Sequence, residues 1–586
     1  MGNKFVGYLN SMNNASSDNI NALAESQVSN EFYKSIMVER KLGSFITDKI
    51  KNGENHCYIM SGYAGDGKTS ILVQILKDLS LLEDGESLKI QDEKYLDGKK
   101  ISYVKDMSEL PDDEKVKLLD KALRAPSEEG NSILISNTGP LINTFIKLFA
   151  NGDSDKKIKI EDKLLKQLDE NNLEELEIEG FKFTLINIAR IDNIGFVKEI
   201  IEKICNDSLW SPCKNCKNEG GCPIYFNKKS ICENKERVIE FIEDYYVFLK
   251  EYDKRLTIRQ IISQISFAIT GNLKCSEIRK KSTDKFYLFR YNFANLFFGY
   301  TGIGKLTEGN QIRAIRLLQE RELDAISLDQ DYDIFVKEDF NCFTEDIQKL
   351  IKNVWKEFSR NFYESNFEFE DRISKQQEIR KSIRRFVLFY GIISEDERSI
   401  RRQIYGDIFD AYRKLTKDAN DRSTKESILK KIRNALYIKN TGVPQKNNTV
   451  YLTLKKNNDE INSVLVVLAK IENKQFKLEQ IKRNLEVEDT SEGFKLKLVV
   501  GKRDGVEFDI TLPILMYFDA INAGEINTDI TPYLSYGLDK LNAALVKKFR
   551  DDEDDRGTME IILIDSSNNV KEVSLNFSNE NEIEVN

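Results

Sequence analysis

The chain has 586 residues, of which 40% are hydrophobic and 10% aromatic, and this length predicts about three or four domains and excludes a single core. Its formal net charge of −9 excludes a globally basic nucleic-acid-binding protein, so any such surface must be local. No apolar run approaches the ~20 residues that cross a bilayer, and the N-terminus lacks the apolar stretch of a signal peptide, which together predict a cytoplasmic protein without membrane contact.

The first part of the chain is predicted to contain an arm and an α/β domain. Residues 1–30 are rich in Asn and Ser and predict a flexible N-terminal arm. Over 31–204, stretches with helical spacing alternate with short, apolar, β-branched runs at 57–60, 101–106, 132–137 and 183–188. This alternation predicts a parallel sheet covered by helices on both faces, the fold of a P-loop NTPase core.

Residues 62–69 read GYAGDGKT and match the phosphate-binding loop G-x-x-x-x-G-K-[ST] between a strand and a helix. Glycines let such a loop bring its N–H groups close to phosphate oxygens. Lys68 is predicted to reach the β- and γ-phosphates of ATP, and the Thr69 hydroxyl to bind Mg²⁺. The predicted nucleotide-binding residues are Gly62, Ala64, Gly65, Asp66, Gly67, Lys68, Thr69 and Ser70.

Polar residues end the other three predicted strands, where ligands gather in such sheets. Asp106 is predicted to hold Mg²⁺ through a water, and the alternative is a solvated strand-end Asp. Asn137 is predicted to orient the attacking water, as in ATPases of the AAA+ type, although Asn-Thr-Gly is also an ordinary turn. Asn187 and Arg190 end the last strand in the same way.

Five of the eight cysteines fall within the segment 205–233, interleaved with Pro and Gly, and predict a zinc knuckle. Cys213 and Cys216 form a Cys-x-x-Cys pair, with Cys222 close behind. Zinc prefers four N or S ligands, so the fourth is either Cys205 or Cys232, between which the sequence does not decide. Four thiolates would make the metal structural. The alternatives are a redox thiol pair and an iron–sulfur cluster.

Residues 234–440 are predicted to be mostly helical. Arg259 falls in the first turn of a helix that starts at Thr257, where a sensor arginine would reach the γ-phosphate; the alternative is a surface ion pair. Between Arg372 and Lys439 there are 18 Lys and Arg against 9 Asp and Glu, a local charge of +9 in a chain of −9. These arginines either line a DNA-phosphate surface or pair with carboxylates of the chain or of a partner.

Residues 441–586 are predicted to form a β-rich interaction domain. Alternating runs at 451–454, 494–500 and 507–512 are typical of half-buried strands, and the second and third are joined by a glycine-rich hairpin turn. A further strand pair is predicted at 559–565 and 571–577. No catalytic constellation is found in this region.

Several of these features, in this order, resemble the DptF family: the octet with Ser70, the strand-end Asp106, the Asn-Thr-Gly turn at 137–139, the cysteine knuckle, and RLTIR at 255–259. The resemblance covers about residues 31–300. Members of that family are ATPases linked to restriction systems that sense phosphorothioate-modified DNA. The resemblance implies ATP hydrolysis in the service of DNA restriction, together with partner subunits similar to DptG and DptH.

Three functions therefore stay open on the sequence. The first is an ATP-hydrolysing subunit of a phosphorothioation-dependent restriction complex, which contacts DNA directly or through its partners. The second is a signalling ATPase of the AAA+/STAND kind that gates oligomerisation. The third is a scaffold that binds nucleotide without turning it over.

Overall fold

The computed structural model describes residues 2–12, 30–63, 65–83, 86–150, 152–170, 172–217, 219–278, 286–302, 304–364, 369–393, 398–454, 464–482, 493–502, 504–525, 530–550, 558–577 and 583–585. The chain divides into two compact units, one of residues 1–400 and one of residues 401–483 and 492–586. The sequence placed the boundary of the C-terminal domain at 441, whereas the helices after residue 400 belong to the second unit. No helix in the described ranges is both long and apolar enough to span a membrane.

The first unit contains eight strands and nineteen α-helices among its described residues. The strands are β1 (Cys57–Ser61), β2 (Gln91–Leu96), β3 (Lys99–Val104), β4 (Asn131–Ser136), β5 (Leu176–Ile178), β6 (Phe181–Asn187), β7 (Tyr300–Thr301) and β8 (Gly304–Lys305). The helices are α1 (Lys4–Met12), α2 (Tyr33–Ile36), α3 (Lys41–Lys51), α4 (Lys68–Asp78), α5 (Asp112–Arg124), α6 (Thr138–Phe149), α7 (Ser154–Glu170), α8 (Phe196–Ile204), α9 (Ser211–Lys214), α10 (Pro223–Glu233), α11 (Lys235–Glu251), α12 (Ile258–Thr270), α13 (Cys275–Ile278), α14 (Tyr287–Arg290), α15 (Phe293–Phe297), α16 (Arg313–Arg321), α17 (Asp331–Phe335), α18 (Glu345–Glu364) and α19 (Phe369–Tyr390).

A six-stranded sheet with the order β2-β3-β4-β1-β6-β5 forms the centre of the first unit. Its inner four strands, β3, β4, β1 and β6, are parallel, which confirms the predicted parallel sheet. The two edge strands are antiparallel hairpin partners that the sequence did not predict. Because carboxyl ends of parallel strands meet at one edge, the ends of β1, β3 and β4 lie together.

Helices cover the sheet on both faces. Neighbouring residues of a strand point to opposite faces, so alternate residues of β1 pack in different layers. Tyr58 and Met60 of β1 pack with the apolar faces of α3 and α4. Cys57 and Ile59 pack on the other side with α5, α6 and α7. Two hydrophobic layers therefore hold β1 rigidly beneath the loop that follows it.

The N-terminal segment begins with a helix that is packed into the fold. Helix α1 buries Phe5, Val6, Tyr8, Leu9 and Met12. The predicted flexible arm over 1–30 therefore does not describe residues 4–12, because their apolar side chains form a buried face. Residues 13–29, which the same prediction covers, lie outside the described residues.

The second unit contains four helices and eight strands among its described residues. The helices are α20 (Ile400–Lys417), α21 (Arg422–Thr441), α22 (Leu512–Asn522) and α23 (Pro532–Phe549). The strands are β9 (Thr449–Thr453), β10 (Val464–Glu472), β11 (Phe476–Lys482), β12 (Phe494–Val500), β13 (Val506–Ile510), β14 (Thr558–Ile564), β15 (Val570–Phe577) and β16 (Ile583–Val585). They form a five-stranded sheet, β16-β15-β14-β10-β9, and a three-stranded sheet, β11-β12-β13. The predicted β-rich character and the predicted hairpins β12-β13 and β14-β15 are confirmed.

Candidate functional site

The octet connects the buried strand β1 to helix α4 and turns through two left-handed glycines. Gly65 has φ 87°, and Gly67, which caps α4, has φ 90°. A Cβ atom on Gly65 would lie 3.2 Å from Thr257 Oγ1, and one on Gly67 would lie 2.9 Å from Arg40 Nη1. Both positions therefore favour glycine. The left-handed backbone is unfavourable for other residues, and a side chain would come too close to its neighbours. Ala64, a predicted nucleotide-binding residue, lies outside the described residues.

Lys68 opens helix α4 and is buried, with 7% of its surface exposed. Its Nζ donates to the carbonyl oxygens of Gly62 at 2.8 Å and Tyr63 at 2.9 Å. A third contact, at 3.3 Å, joins it to Oδ1 of Asn137 at the end of β4. The ammonium group thus binds carbonyl oxygens of its own loop. Phosphate oxygens of a ligand could take the place of these carbonyl oxygens.

Burial lowers the pKa of the Lys68 ammonium, and the carboxylates of Asp66 and Asp106 oppose that shift. A buried cation is costly unless it is paired. A polyphosphate bound in the loop would bring the negative charge that compensates it. The electrostatics of the loop therefore favour an anionic ligand.

Asp66 and Arg255 form an ion pair that holds the loop. The Asp66 side chain is fully buried, and its Oδ1 lies 2.8 Å from Arg255 Nη1. Its Oδ2 accepts from the backbone N–H of Tyr63 at 2.9 Å. Arg255 Nη2 also donates to the carbonyl oxygens of Ile188 and Ile191 beyond β6. The Asp66 carboxylate is therefore committed to the protein, and Arg255, to which the sequence assigned no separate role, positions the loop.

Two of the four predicted strand-end residues, Asp106 and Asn137, lie near Lys68. Strand β4 is the direct neighbour of β1, and β3 is one strand further away. With strands ~4.8 Å apart, the ends of β4 and β3 lie about 5 and 10 Å from the end of β1. Asn137 touches Lys68, and Asp106 lines the same cavity as Lys68 and Thr69. Asp106 Oδ1 also accepts from the backbone N–H of Ser108 at 2.8 Å, which fixes its orientation.

A cavity of about 320 Å³ opens from the octet. Its polar end contains Lys68, Thr69, Ser70 and Asp106, and Arg259 from the first turn of α12 reaches the same cavity. Its other walls are mostly apolar or aromatic and come from the N-terminal segment and from α12: Tyr8, Met12, Tyr33, Ile36, Met37, Val38, Ile258 and Ile262. The sequence did not predict the N-terminal walls, because their residues are far from the octet and match no motif.

Two tyrosines of these walls have buried hydroxyl groups. Among the described residues, neither Tyr8 Oη nor Tyr33 Oη has a hydrogen-bond partner of ordinary geometry, although Ser70 lies beside Tyr33. Burial raises the pKa of both phenols, so both are neutral. Both hydroxyl oxygens are themselves shielded from solvent, so each could donate to a ligand in the cavity after a local side-chain movement.

The other polar residues at the end of β6 do not reach this cavity. The Asn187 side chain accepts from the N–H of Ala189 at 3.1 Å and donates to Leu168 O at 3.0 Å. Arg190 pairs with Asp169 at the surface. Both residues are engaged in local structure, and the cavity lining includes neither.

Six of the eight cysteines lie in two groups. Cys213, Cys216 and Cys222 line a cavity of about 30 Å³, and the fourth cysteine there is Cys275. Neither fourth ligand considered from the sequence is part of this lining. Across the described ranges, no three Cys, His, Asp or Glu side chains are already placed to hold a metal ion.

The other two cysteines of the segment 205–233, Cys205 and Cys232, contact each other. The hydrogen bond between their thiols raises the pKa of Cys205 and lowers that of Cys232 to about 7. Lys228 stands close by and also favours the Cys232 thiolate. This pair is therefore separate from the four-cysteine cavity.

Five arginines of the basic segment are paired within the chain. Arg384 Nη2 lies 2.6 Å from Asp331 Oδ2, and Arg385 Nε lies 2.7 Å from Asp324 Oδ2. Three further arginines of the segment also contact carboxylates: Arg398 with Asp329, Arg401 with Asp410, and Arg402 with Asp407. The intramolecular alternative therefore accounts for these five arginines without DNA.

Replacing Arg385 with alanine should destabilise the first unit by about 3–5 kcal/mol, because it leaves Asp324 buried without its partner. Arg385 is fully buried. The matched control is Arg398→Ala, whose side chain is 57% exposed and should matter little. Urea unfolding of the three proteins measures the difference, and equal midpoints for wild type and Arg385→Ala would contradict it.

Comparisons with known proteins identify no relative: no protein-family model, no curated protein and no solved structure matches the chain.

Proposed function

We propose that the chain binds ATP in the octet loop and hydrolyses it. The observation that carries this proposal is the position of Lys68, buried at the start of α4, bonded to its own loop and touching the strand-end Asn137. A cation held at a helix N-terminus beneath glycine-rich backbone is a phosphate site. The adjoining cavity of about 320 Å³ lies within the usual size range of small-ligand pockets.

Each polar residue of the cavity would then have its own role in phosphoryl transfer. Lys68 would neutralise the β- and γ-phosphates, and Thr69 with Asp106 would hold Mg²⁺, which would supply further positive charge against the charge that develops during transfer. Asn137 would orient the attacking water, and Arg259 would contact the γ-phosphate from α12. These are positioning and electrostatic roles, which supply most of the catalysis in such reactions.

The apolar end of the cavity is proposed to hold the nucleobase. Apolar and aromatic walls with a few polar groups are typical of ligand pockets. Tyr8 and Tyr33 each bring a buried hydroxyl that lacks an ordinary partner in the described part of the chain. A base or ribose that accepts from them would remove the cost of leaving those groups unpaired.

Replacing Tyr8 with phenylalanine is expected to weaken ATP binding by about 5- to 10-fold, because one hydrogen bond of ~1–1.5 kcal/mol is lost. The matched control is Tyr95→Phe on β2, a tyrosine that is 65% exposed. Fluorescence titration with a labelled ATP, competed by ATP and by inorganic triphosphate, gives both affinities. If the base lies elsewhere, Tyr8→Phe will bind ATP as wild type does.

The resemblance to the DptF family extends the proposal to a pathway. On that basis the chain is an ATPase subunit of a phosphorothioation-dependent restriction complex, acting with DptG-like and DptH-like subunits. Because five arginines of the basic segment are paired with carboxylates, DNA contact through partner subunits is favoured over contact through this segment.

Steady-state release of phosphate tests whether the chain hydrolyses ATP. Wild type should release phosphate from ATP with saturation in ATP and a requirement for Mg²⁺. A chain that binds ATP but releases no phosphate, alone or with its copurified partners, would be a nucleotide-binding scaffold and would overturn the hydrolytic assignment.

A further inference from the structure

We propose that Cys213, Cys216, Cys222 and Cys275 form a four-thiolate zinc site that fastens the N-terminal helix α1 to the cysteine-rich segment. This inference does not rest on the proposed ATPase function. It requires no side chain that takes part in nucleotide binding.

The four thiols come from three separate places in the chain. Cys213 lies in the short helix α9, Cys216 follows it, and Cys222 caps α10. Cys275 begins α13, beyond the helix α12. A local turn alone could not bring Cys275 to the other three cysteines. A ligand that all four bind would explain why they lie around one small cavity.

The cavity that these cysteines share with six other lining residues is small. A cavity of about 30 Å³ has room for roughly one or two waters and is too small for a multi-iron cluster. Four sulfur ligands suit zinc, which binds thiolates at ~2.3 Å in a tetrahedron. The size of the cavity therefore favours a single zinc ion over the iron–sulfur alternative.

Binding must draw the thiols together. In the described part of the chain they do not yet occupy ligand positions around one point. Zinc takes thiolates, so each thiol must lose its proton and turn its sulfur inward as the metal enters. All four residues already line the same cavity, so the thiols start close to the proposed ion.

The N-terminus is packed directly against this cluster. Gly2 is so close that a Cβ there would lie 2.8 Å from Cys275 Cβ. Asn3 Nδ2 donates to Leu209 O at 3.0 Å and approaches Cys213 Sγ at 3.4 Å. A metal at this point would therefore hold the start of helix α1, whose Tyr8 lines the larger cavity.

Metal analysis of purified protein tests the ligand set. Wild type should carry about one zinc per chain and neither iron nor sulfide. Cys275→Ser should lose most of that zinc, whereas the matched control Cys232→Ser, from the separate thiol pair, should keep it. Retention of zinc in Cys275→Ser with loss in Cys232→Ser, or an absence of zinc from wild type, would overturn the proposal.

A measurement on wild type alone covers the case in which Cys275→Ser does not fold. Alkylation of the native protein, mapped by mass spectrometry, should leave Cys213, Cys216, Cys222 and Cys275 protected and should modify the exposed Cys232. A zinc chelator should make all four reactive together. Reactivity of Cys275 that is unaffected by the chelator would exclude it as a ligand.

Discussion

Replacing Lys68 with alanine is expected to lower ATP turnover by a factor on the order of 10² or more, while the protein remains folded. The ammonium group is the one cation of the octet, and its Nζ donates to the loop carbonyls of Gly62 and Tyr63 and to Oδ1 of Asn137. Its removal deprives the transferring phosphoryl group of compensating charge. Phosphate release at saturating ATP measures the loss.

Lys166→Ala is the matched control for this variant. Lys166 lies in α7 and its side chain is 74% exposed, so its loss should change neither turnover nor folding. Circular dichroism and the unfolding midpoint establish that the Lys68→Ala protein is folded. Normal turnover by a folded Lys68→Ala protein would show that hydrolysis does not take place in the octet loop.

The second large effect is expected at Arg255. Its replacement by alanine leaves the fully buried Asp66 carboxylate without its cation and removes the bonds to Ile188 and Ile191. Breaking a buried pair costs about 3–5 kcal/mol, and the lower end applies because Arg255 is 22% exposed. The loop should lose its fixed shape, so ATP affinity should fall together with stability.

Two further variants distinguish a residue that positions the loop from a residue that contacts the nucleotide. Adding Asp66→Asn to Arg255→Ala removes the unpaired charge and should restore part of the stability. Arg259→Ala, in contrast, should keep the unfolding midpoint and lower turnover, because Arg259 lines the cavity without belonging to the Asp66 pair. Wild-type stability and affinity in Arg255→Ala would refute the positioning role.

The inner sheet could be predicted from sequence because its strands are short, apolar and separated by helices. The edge strands β2 and β5 were missed because their residues are largely polar, with Gln91–Leu96 reading QDEKYL. The available signal was in the turns. Asp97-Gly98 and Glu179-Gly180 both have positive φ, as two-residue hairpin turns require.

The phosphate end of the site was predictable because it is a contiguous motif. Asn137 lies beside it because β4, the strand that it follows, pairs directly with β1. The walls from α1 and the pairing of Arg255 with Asp66 were not predictable, because they join residues more than 50 positions apart with no fixed spacing. Cys275 was missed for the same reason. A spacing rule favours near cysteines, whereas the fold brings a distant one into the cavity.

Net charge alone did not decide between a DNA-phosphate surface and intramolecular pairing, for a related reason. A sum over residues 372–439 omits carboxylates from elsewhere in the chain, and Asp324, Asp329 and Asp331 lie outside that window. These carboxylates neutralise arginines of the segment. Local charge therefore predicts a surface only where the fold supplies no counterion.

Calorimetric titration of the wild-type chain with MgATP tests the central claim most directly. One ATP should bind per chain, the unfolding midpoint should rise with ATP concentration, and both effects should be strongly reduced in Lys68→Ala. A folded wild-type chain that shows neither binding heat nor a shift in its unfolding midpoint at millimolar ATP would contradict the account.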